Sequence, residues 1–108
     1  MMSLMEKFIE AINSKNVELL DEIIHDDYTF NMNNGSGLLS KGDVIAWSMS
    51  DSFSRDEQRI IYENSDIGVE HAVVSFSNGT PSEAVISVHV FKDGKIISTE
   101  TGATELKE

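Results

Sequence analysis

Residues 83–101 read EAVISVHVFKDGKIISTET, and this stretch decides the fold. Two runs rich in β-branched residues flank Asp93-Gly94, a dipeptide that is a strong short signal for a tight hairpin turn. We therefore predict antiparallel strands over Glu83–Phe91 and Ile96–Thr101, joined by a two-residue turn.

Further strands are predicted upstream of this hairpin. Ile60–Glu63 and Val69–Phe76 are β-rich runs bounded by turn residues, and Tyr28–Met32 alternates at a period of two. Residues 33–37 read NNGSG and are predicted to form a loop, because glycine and asparagine favour turns. The second half of the chain is thus predicted to be all strand.

Helical signals occur only in the first half of the chain. Ser3-Leu4-Met5-Glu6 and Ser40-Lys41-Gly42-Asp43 are capping boxes that open the first and third helices. Apolar residues follow the first box at helical spacing, and Asn16 can cap a second helix with an apolar stripe that includes Val17 and Ile24. The third helix carries Val44, Ile45, Trp47 and Met49. The predicted order is α-α-β-α-β-β-β-β over a single domain of residues 1–108, an α+β plan with helices laid on one antiparallel sheet.

Composition excludes several classes of partner. The chain has 19 acidic and 8 basic residues and a net charge of −11. Nucleic acid and anionic membranes require clustered Lys and Arg, so neither is expected. The chain has no cysteine, which excludes disulfides and cysteine-ligated metals. Its start lacks a basic leader, and no apolar run approaches the ~20 residues of a membrane span. We expect a cytoplasmic protein.

Three stretches resemble the nuclear-transport-factor-2-like superfamily, in its SnoaL-like branch. They are residues 6–16 (EKFIEAINSKN) continuing to the HDDY of residues 25–28, residues 40–45 (SKGDVI), and residues 88–96 (VHVFKDGKI). The resemblance implies a cone in which a strongly curved sheet wraps three N-terminal helices, a cystatin-like or SnoaL-like fold. It also implies a pocket between sheet and helices, and a homodimer formed through the convex side of the sheet.

The resemblance leaves the activity open, because similar proteins include isomerases, cyclases, dehydratases and hydrolases as well as non-enzymatic modules. Steroid isomerases of this superfamily use an aspartate base, a tyrosine and a protonated aspartic acid. The matching positions here are Asn31 or Met32, Phe8, and Ser87 or Val88. Steroid-isomerase chemistry by that mechanism is therefore not expected.

Two assignments of the hairpin's faces are possible. Hydrophobicity alone favours packing of the Val/Ile face on the helices, with His89 facing water. The family pattern favours the reverse, with His89 and Phe91 inside the cone. We favour the family pattern, which leaves an exposed apolar face for a second subunit. The predicted dimer face consists of Ile86, Val88, Val90 and Ile97.

A two-residue turn sets the register of the hairpin. Counting back from the turn places Phe91 opposite Ile96 and His89 opposite Ser98. In the same count Ser87 lies opposite Glu100, diagonal to His89.

His89 and Glu100 are accordingly the predicted catalytic pair. A carboxylate beside an imidazole fixes its tautomer and favours its protonated form, as a general base requires. The alternative is that His89 is a hydrogen-bonded sheet residue and that Glu100 is solvated. A second register, across the turn at residues 78–81, would place His71 opposite His89.

The remaining predicted pocket residues are aromatic or polar side chains that could fill a core or orient a ligand: Tyr28, Asn31, Trp47, Tyr62, Ser87 and Phe91. No third ligand accompanies the histidines, so neither a metal nor another cofactor is expected. The sequence thus leaves two functions open. One is an isomerase-, cyclase- or hydratase-type enzyme acting on a small apolar or carbonyl-bearing molecule, and the other is a non-catalytic ligand-binding or dimeric assembly module.

Overall fold

Three helices and two short strands precede four long strands in the computed structural model, which describes residues 3–31, 38–50, 53–77 and 79–106. The elements are α1 (Leu4–Asn13), α2 (Val17–Ile23), β1 (Ile24–Asn31), β2 (Leu38–Ser40), α3 (Lys41–Ser48), β3 (Phe53–Glu63), β4 (Ile67–Phe76), β5 (Glu83–Lys92) and β6 (Lys95–Glu105). The predicted order is confirmed, with β2 as an added strand. The predicted loop at residues 33–37 lies outside the described residues.

The strands form a curved, unclosed sheet in the order β2-β1-β6-β5-β4-β3. Neighbouring strands are antiparallel, as predicted, except that β1 runs parallel to β6. The parallel pair arises because α2 leads straight into β1, which then inserts beside the last strand of the chain. No helix in the described ranges is long and apolar enough to cross a membrane.

Both predicted capping boxes form. The Glu6 amide donates to Ser3 Oγ at 3.1 Å, and the Ser3 amide donates to the Glu6 carboxylate at 2.9 Å. Ser40 and Asp43 repeat the arrangement at the start of α3. Such caps satisfy amide groups that the first turn of a helix leaves unpaired. The starts of these helices are therefore determined locally by a few residues.

The helices pack on one face of the sheet, the concave face, and the core lies between them. Helix residues meet strand residues there in a single buried cluster, which comprises Met5, Phe8, Ala11, Leu20, Ile23, Ile24, Tyr28, Val44, Phe91 and Ile96. The opposite, convex face carries no helix among the described residues. The helices thus bury only one side of each strand.

The faces of β5 follow the family pattern. Ser87, His89 and Phe91 are buried on the concave face, whereas Ile86 and Val90 are 42% and 40% exposed on the convex face. This phase would be unfavourable for an isolated hairpin, because it exposes aliphatic side chains and buries an imidazole. The face predicted from the family pattern is confirmed, and the hydrophobicity-based alternative is wrong.

The Asp93-Gly94 turn forms as predicted, but the register beyond it does not. Asp93 and Gly94 have φ values of 55° and 73°, as a two-residue hairpin turn requires. Phe91 pairs with Ile96, yet Val90 pairs with Ser98, so Ile97 is an extra residue in β6. Compared with the predicted register, this bulge turns every later residue of β6 to the opposite face of the sheet.

Gly68 of β4 lies against Met5 of α1 and Phe91 of β5. A Cβ atom built at Gly68 would lie 2.5 Å from Met5 Cγ and 2.8 Å from Phe91 Cζ. Met5 is fully buried and cannot swing outward without opening the core. The absence of a side chain at Gly68 therefore lets the first turn of α1 rest on β4.

We expect Gly68→Ala to lower the free energy of unfolding by about 1–3 kcal/mol, because overpacking displaces Met5 and Phe91. Gly102→Ala is the matched control, since its Cβ would meet Ile86 Cγ2 at an ordinary 3.6 Å. Urea denaturation of the two variants measures the difference. Equal stabilities would contradict the close packing at Gly68.

Candidate active site

Four polar side chains form one hydrogen-bonded chain on the concave face, and a fifth lies beside its end. The chain runs through Thr99 from β6, His89 from β5, Glu70 from β4 and Arg55 from β3. Tyr28 from β1 lies beside Thr99, and we call these five residues the buried network. Each strand contributes one inward-facing residue, so adjacent members come from adjacent strands. The network spans the inner surface of the cone.

The centre of the buried network is the contact between His89 and Glu70. His89 Nε2 lies 2.7 Å from Glu70 Oε2, and both side chains are 1% exposed. Glu70 pairs across the ladder with Ser87, two residues from His89, so the contact is a diagonal one between neighbouring strands. The sheet itself holds the imidazole and the carboxylate together.

Arg55 holds the other oxygen of the Glu70 carboxylate through its Nη2 atom. Burial by itself raises the pKa of Glu70, but the His89 hydrogen bond and the Arg55 charge outweigh it and hold the pKa below the ordinary 4.5. Glu70 is therefore an anion at neutral pH. A guanidinium is always charged, so the carboxylate keeps a counter-ion throughout the physiological range.

Thr99 and Tyr28 complete the other end of the buried network. Thr99 Oγ1 lies 2.7 Å from His89 Nδ1. Tyr28 lies close to Thr99, because Phe30, two residues further along β1, pairs with Thr99. Burial raises the pKa of Tyr28 to about 12, the Glu70 charge adds to the rise, and the Thr99 hydroxyl offsets part of it. Tyr28 thus keeps its proton under all ordinary conditions.

The hydrogen bonds define one tautomer of the neutral imidazole. An ionised carboxylate can only accept, so His89 Nε2 carries the proton and donates it to Glu70. Nδ1 is then an acceptor for the Thr99 hydroxyl. The hydrogen bonds of the imidazole therefore run from Thr99 through His89 to Glu70.

Helix α1 covers the buried network from above. The Phe8 ring lies against the His89 imidazole with 4.9 Å between centroids and 57° between planes. At the start of the same helix, the Met5 amide donates to Glu63 Oε2 at 3.2 Å. Phe8 therefore excludes water from His89 and lowers the local dielectric constant, which strengthens the hydrogen bonds beneath it.

Four predicted site residues meet on the concave face. His89, Ser87, Phe91 and Tyr28 are all buried there. Ser87 and Phe91 flank His89 along β5, and Tyr28 lies on β1 beside Thr99, which contacts His89. The structure thus brings together the part of the predicted site that lies on β5 and β1.

The predicted pairing of His89 with Glu100 is wrong. The bulge at Ile97 places Thr99 opposite His89, and Glu100 pairs with Val88 on the convex face, where it is exposed. The second register is also wrong, because His71 pairs with Ile86 rather than with His89. The carboxylate that contacts His89 is Glu70.

Three other predicted pocket residues lie away from the buried network. Asn31 pairs with Glu100, and both line a shallow depression of the convex face. Tyr62 pairs with Val69 on that same face and is 56% exposed. Trp47 is half-exposed on α3, where it stacks on Phe53 with 4.1 Å between centroids and 9° between planes.

Sequence reasoning missed Glu70, Arg55 and Thr99. Glu70 lies on the same face of β4 as Ala72 and Val74, because residues two apart in a strand share a face. An acidic residue among these inward-facing apolar positions was the signal that could have identified Glu70. Arg55 was missed because it lies before Ile60, the residue at which we predicted the strand to begin. No local pattern singles out Thr99, because only the bulge turns it inward.

The described part of the chain contains no cluster of three or more His, Asp or Glu side chains arranged to hold a metal ion. The polar groups of the buried network pair with one another instead. An imidazole between a carboxylate and a hydroxyl is an arrangement that can accept and release protons.

We expect Glu70→Gln to lower the free energy of unfolding at pH 7 by about 3–5 kcal/mol, because Arg55 then lacks its buried counter-ion. The folded-state pKa of Glu70 lies below 4.5, so its stabilising effect is complete above that pH and is lost as the pH falls through the folded value. The stability gap between wild type and variant should therefore narrow below pH 4.5.

Urea denaturation between pH 7 and pH 3 measures this gap. Glu100→Gln, an exposed carboxylate of the convex face, is the matched control and should change stability by less than about 0.5 kcal/mol throughout. A gap for Glu70→Gln that stays constant with pH would contradict an ionised Glu70.

Comparison with known proteins supports the fold. Residues 5–99 match the family model described as SnoaL-like domain. No curated protein matches the chain. An NTF2-like protein of unknown function from Cytophaga hutchinsonii is similar in structure, with a TM-score of 0.76 and 18% identity over 94% of this chain and 87% of that one.

Two further similar structures have names that suggest an activity. One, from Kribbella flavida, is described as a candidate ketosteroid isomerase, with a TM-score of 0.76 and 11% identity over 97% of this chain and 78% of that one. The other is IdmH from Streptomyces antibioticus, described as a candidate polyketide cyclase, with a TM-score of 0.72 and 16% identity over 93% of this chain and 88% of that one. At these identities the likeness shows the fold alone.

Proposed function

The chain belongs to the SnoaL-like domain family, and we propose that its concave face is an acid–base active site for a small carbonyl-bearing molecule. The reaction class is that of an isomerase, cyclase or hydratase. The observation that carries the proposal is the 2.7 Å contact between His89 and Glu70, buried on the concave face. The named activities of the similar structures agree with this class.

The energetics of the buried network support a functional role. A buried ion pair contributes little net stability, because desolvation of the charges offsets their attraction, and apolar replacements of similar volume are often as stable. Groups with shifted pKa values, buried beside specific charged partners, occur preferentially at functional sites. Here Glu70 and Tyr28 are shifted in opposite directions within one network.

Each charged member has a distinct part in the proposed chemistry. His89 takes up a proton at Nδ1, the nitrogen that acts as acceptor. Glu70 fixes the imidazole and stabilises the imidazolium that forms, and Arg55 keeps Glu70 ionised. His89 is the predicted catalytic residue that this proposal retains, while the orienting part predicted for Glu100 passes to Glu70.

Charge favours a neutral substrate. The Arg55 and Glu70 charges cancel, so this pair leaves no net charge of its own to attract an ion. The protein as a whole carries −11, which disfavours anions. Ser87 and Phe91 remain the proposed ligand contacts beside His89, and the Trp47–Phe53 stack offers an aromatic surface for apolar parts of the molecule.

We expect the protein to catalyse deuterium exchange at carbons next to a carbonyl, measured by NMR in D₂O with cyclic enones and β-keto esters as probes. His89→Gln should reduce the exchange rate by about 10²–10⁴-fold, the usual contribution of a general base. His71→Gln, which removes a histidine of the convex face, is the matched control and should leave the rate unchanged.

The proposal fails if no probe exchanges faster with protein than without it. It also fails if the two histidine variants lose exchange activity equally. Circular dichroism of both variants checks that each retains the fold.

The exposed apolar residues of the convex face support a second proposed property, a homodimer formed through this face. Ile86 and Val90 are exposed there, and the other predicted residues, Val88 and Ile97, are half-buried. Contiguous exposed apolar side chains on a sheet are typical of interaction surfaces. In the alternative function, this face would make the protein a dimeric assembly module without catalysis. Its cytoplasmic location stays a prediction.

We expect light scattering at micromolar concentration to give the mass of two chains. Val90→Lys should give one chain, because a charge in the centre of an apolar interface lacks a partner. Val17→Lys, on the exposed side of α2, is the matched control and should remain dimeric. A wild-type mass of 12.0 kDa would contradict the dimer.

A further inference from the structure

Five residues of the convex face lie in one row across the sheet. The backbone ladders place them side by side in the order Tyr62, Val69, Val88, Glu100 and Asn31. Val88 of β5 is the centre of this row. Since neighbouring strands are about 4.8 Å apart, Tyr62 on one side and Asn31 on the other each lie about 10 Å from Val88 along the sheet. The two ends of the row are therefore equally far from its centre.

Tyr62 protrudes from the β3 end of the row. It is 56% exposed, and its hydroxyl accepts a hydrogen bond from Asn64 Nδ2 at 3.2 Å. The Asn64 side chain is itself fixed, because its Oδ1 accepts from the amides of Asp66 and Ile67 at 2.8 Å. Among the described residues, none accepts the proton of the Tyr62 hydroxyl. Tyr62 is thus a positioned, exposed ring with one donor left to use.

The other end of the row is hollow. A depression of about 160 Å³ lies there, over β1, β6 and β5, and its walls include Asn31, Glu100 and Val88. The valine supplies an apolar side, while the amide and the carboxylate supply hydrogen-bond acceptors. Glu100 has no ion-pair partner in the part of the chain that the structure describes. A tyrosine ring, apolar with one polar tip, matches this lining.

Charge favours a second copy of the chain as the partner of this face. Each copy carries a net charge of −11, so two copies repel each other through most of their surface. On the convex face, the acidic residues among the ladder-paired positions of β3 to β6 are Asp56 and Glu100. Arg59, on the same face of β3, offsets one of them. Two copies therefore approach each other most easily through this face.

Symmetry then decides which residues meet. Sheets that pack face to face keep their strands within about 30° of alignment, so a two-fold axis in the contact plane runs either along β5 or across the strands. An axis along β5 places Tyr62 of each copy over Asn31 of the other. An axis across the strands places β3 over β3 and β6 over β6. It leaves both depressions empty and brings the two Glu100 carboxylates toward each other.

The curvature of the sheet also favours a long side chain at the Tyr62 position. Both contacting faces are convex, so the gap between two copies widens with distance from β5. Two strands away from the centre, a short side chain does not cross this gap, whereas a tyrosine extends far enough to enter a depression on the other side.

We propose that Tyr62 of each copy inserts into the depression of the other, with its hydroxyl donating to Glu100. This inference rests on the proposed homodimer, because it specifies how the two copies are oriented. The two-fold axis makes the contact occur twice. Tyrosine is enriched among the few residues that supply most of the binding energy of an interface. The two tyrosines therefore determine both the orientation of the dimer and much of its affinity.

Cross-linking tests the orientation directly, because the chain has no cysteine of its own. Tyr62→Cys and Asn31→Cys proteins are treated with a short bis-maleimide, separately and after mixing. The mixture should give covalent dimers and the separate proteins should not. Identical positions lie four strand spacings apart, about 19 Å, whereas Tyr62 lies over Asn31 of the other copy. Val17→Cys, on α2, replaces either protein in the control mixtures, which should remain uncoupled.

Sedimentation of the whole protein tests the affinity. Tyr62→Ala should raise the dimer Kd on the order of 10- to 100-fold, the range of an interface residue that contributes strongly. Tyr62→Phe should raise it by a smaller factor, because it loses only the donor to Glu100. Val17→Ala, at a residue that is 47% exposed on α2, is the matched control and should keep the wild-type Kd.

A charge exchange tests the contact with Glu100. Tyr62→Asp places a second carboxylate against Glu100 and should give monomers. Adding Glu100→Lys to the same chain should restore the dimer, because the two substituted residues attract each other across the interface.

The proposed contact is overturned if either cysteine variant couples to itself, or if the mixture does not couple although the wild type is dimeric. It is also overturned if Tyr62→Ala keeps the wild-type Kd, or if Glu100→Lys does not restore the dimer. These outcomes leave the proposed homodimer in place with another orientation. A wild-type mass of one chain would instead reject the homodimer, and this contact with it.

Discussion

The buried carboxylate of Glu70 is the constraint on which the concave face depends. An ionised group removed from water requires charged or hydrogen-bonding partners for both oxygens, or its desolvation would destabilise the fold. Arg55 supplies one partner from β3 and His89 supplies the other from β5. Strands β3, β4 and β5 are therefore joined by side chains as well as by their backbone ladders. Thr99 extends the connection to β6.

The buried network also links stability to the proposed chemistry. The contacts that satisfy Glu70 leave His89 with one donating and one accepting nitrogen. Phe8 excludes water above the ring, so proton movement is confined to the side chains of the network. In the proposed chemistry, the buried network stabilises the fold in one protonation state and passes through a second protonation state during the reaction. The low dielectric constant around the network strengthens the electrostatic interactions in both states.

The helices and most strands could be predicted because their signals are local. The two capping boxes, the apolar spacing behind them and the Asp93-Gly94 turn each involve a few neighbouring residues, and all formed as predicted. The strand bounds were less accurate: β3 begins at Phe53, well before the predicted Ile60. Its early residues include Arg55 and Gln58, and their polarity concealed a strand that pairing with β4 stabilises.

The candidate site was predicted in part. His89, Ser87, Phe91 and Tyr28 were placed inside the cone because the resemblance supplied the phase of β5, which composition alone would have reversed. Glu100 was predicted as the partner of His89 in place of Glu70, because one bulged residue, Ile97, shifts the register. Bulges depend on how a strand bends against its neighbours and leave little trace in a single run of residues.

The sequence by itself thus determined the elements, their order, the hairpin turn and the inward histidine. Only the tertiary structure decided which carboxylate meets that histidine, which hydroxyl contacts it from β6, and which cation holds the carboxylate from β3. The physical reason is the separation in sequence between the residues that interact. Caps, turns and periodicity arise between residues a few positions apart, whereas Arg55, Glu70 and His89 lie 15 and 19 positions apart and meet only after three strands pair in register.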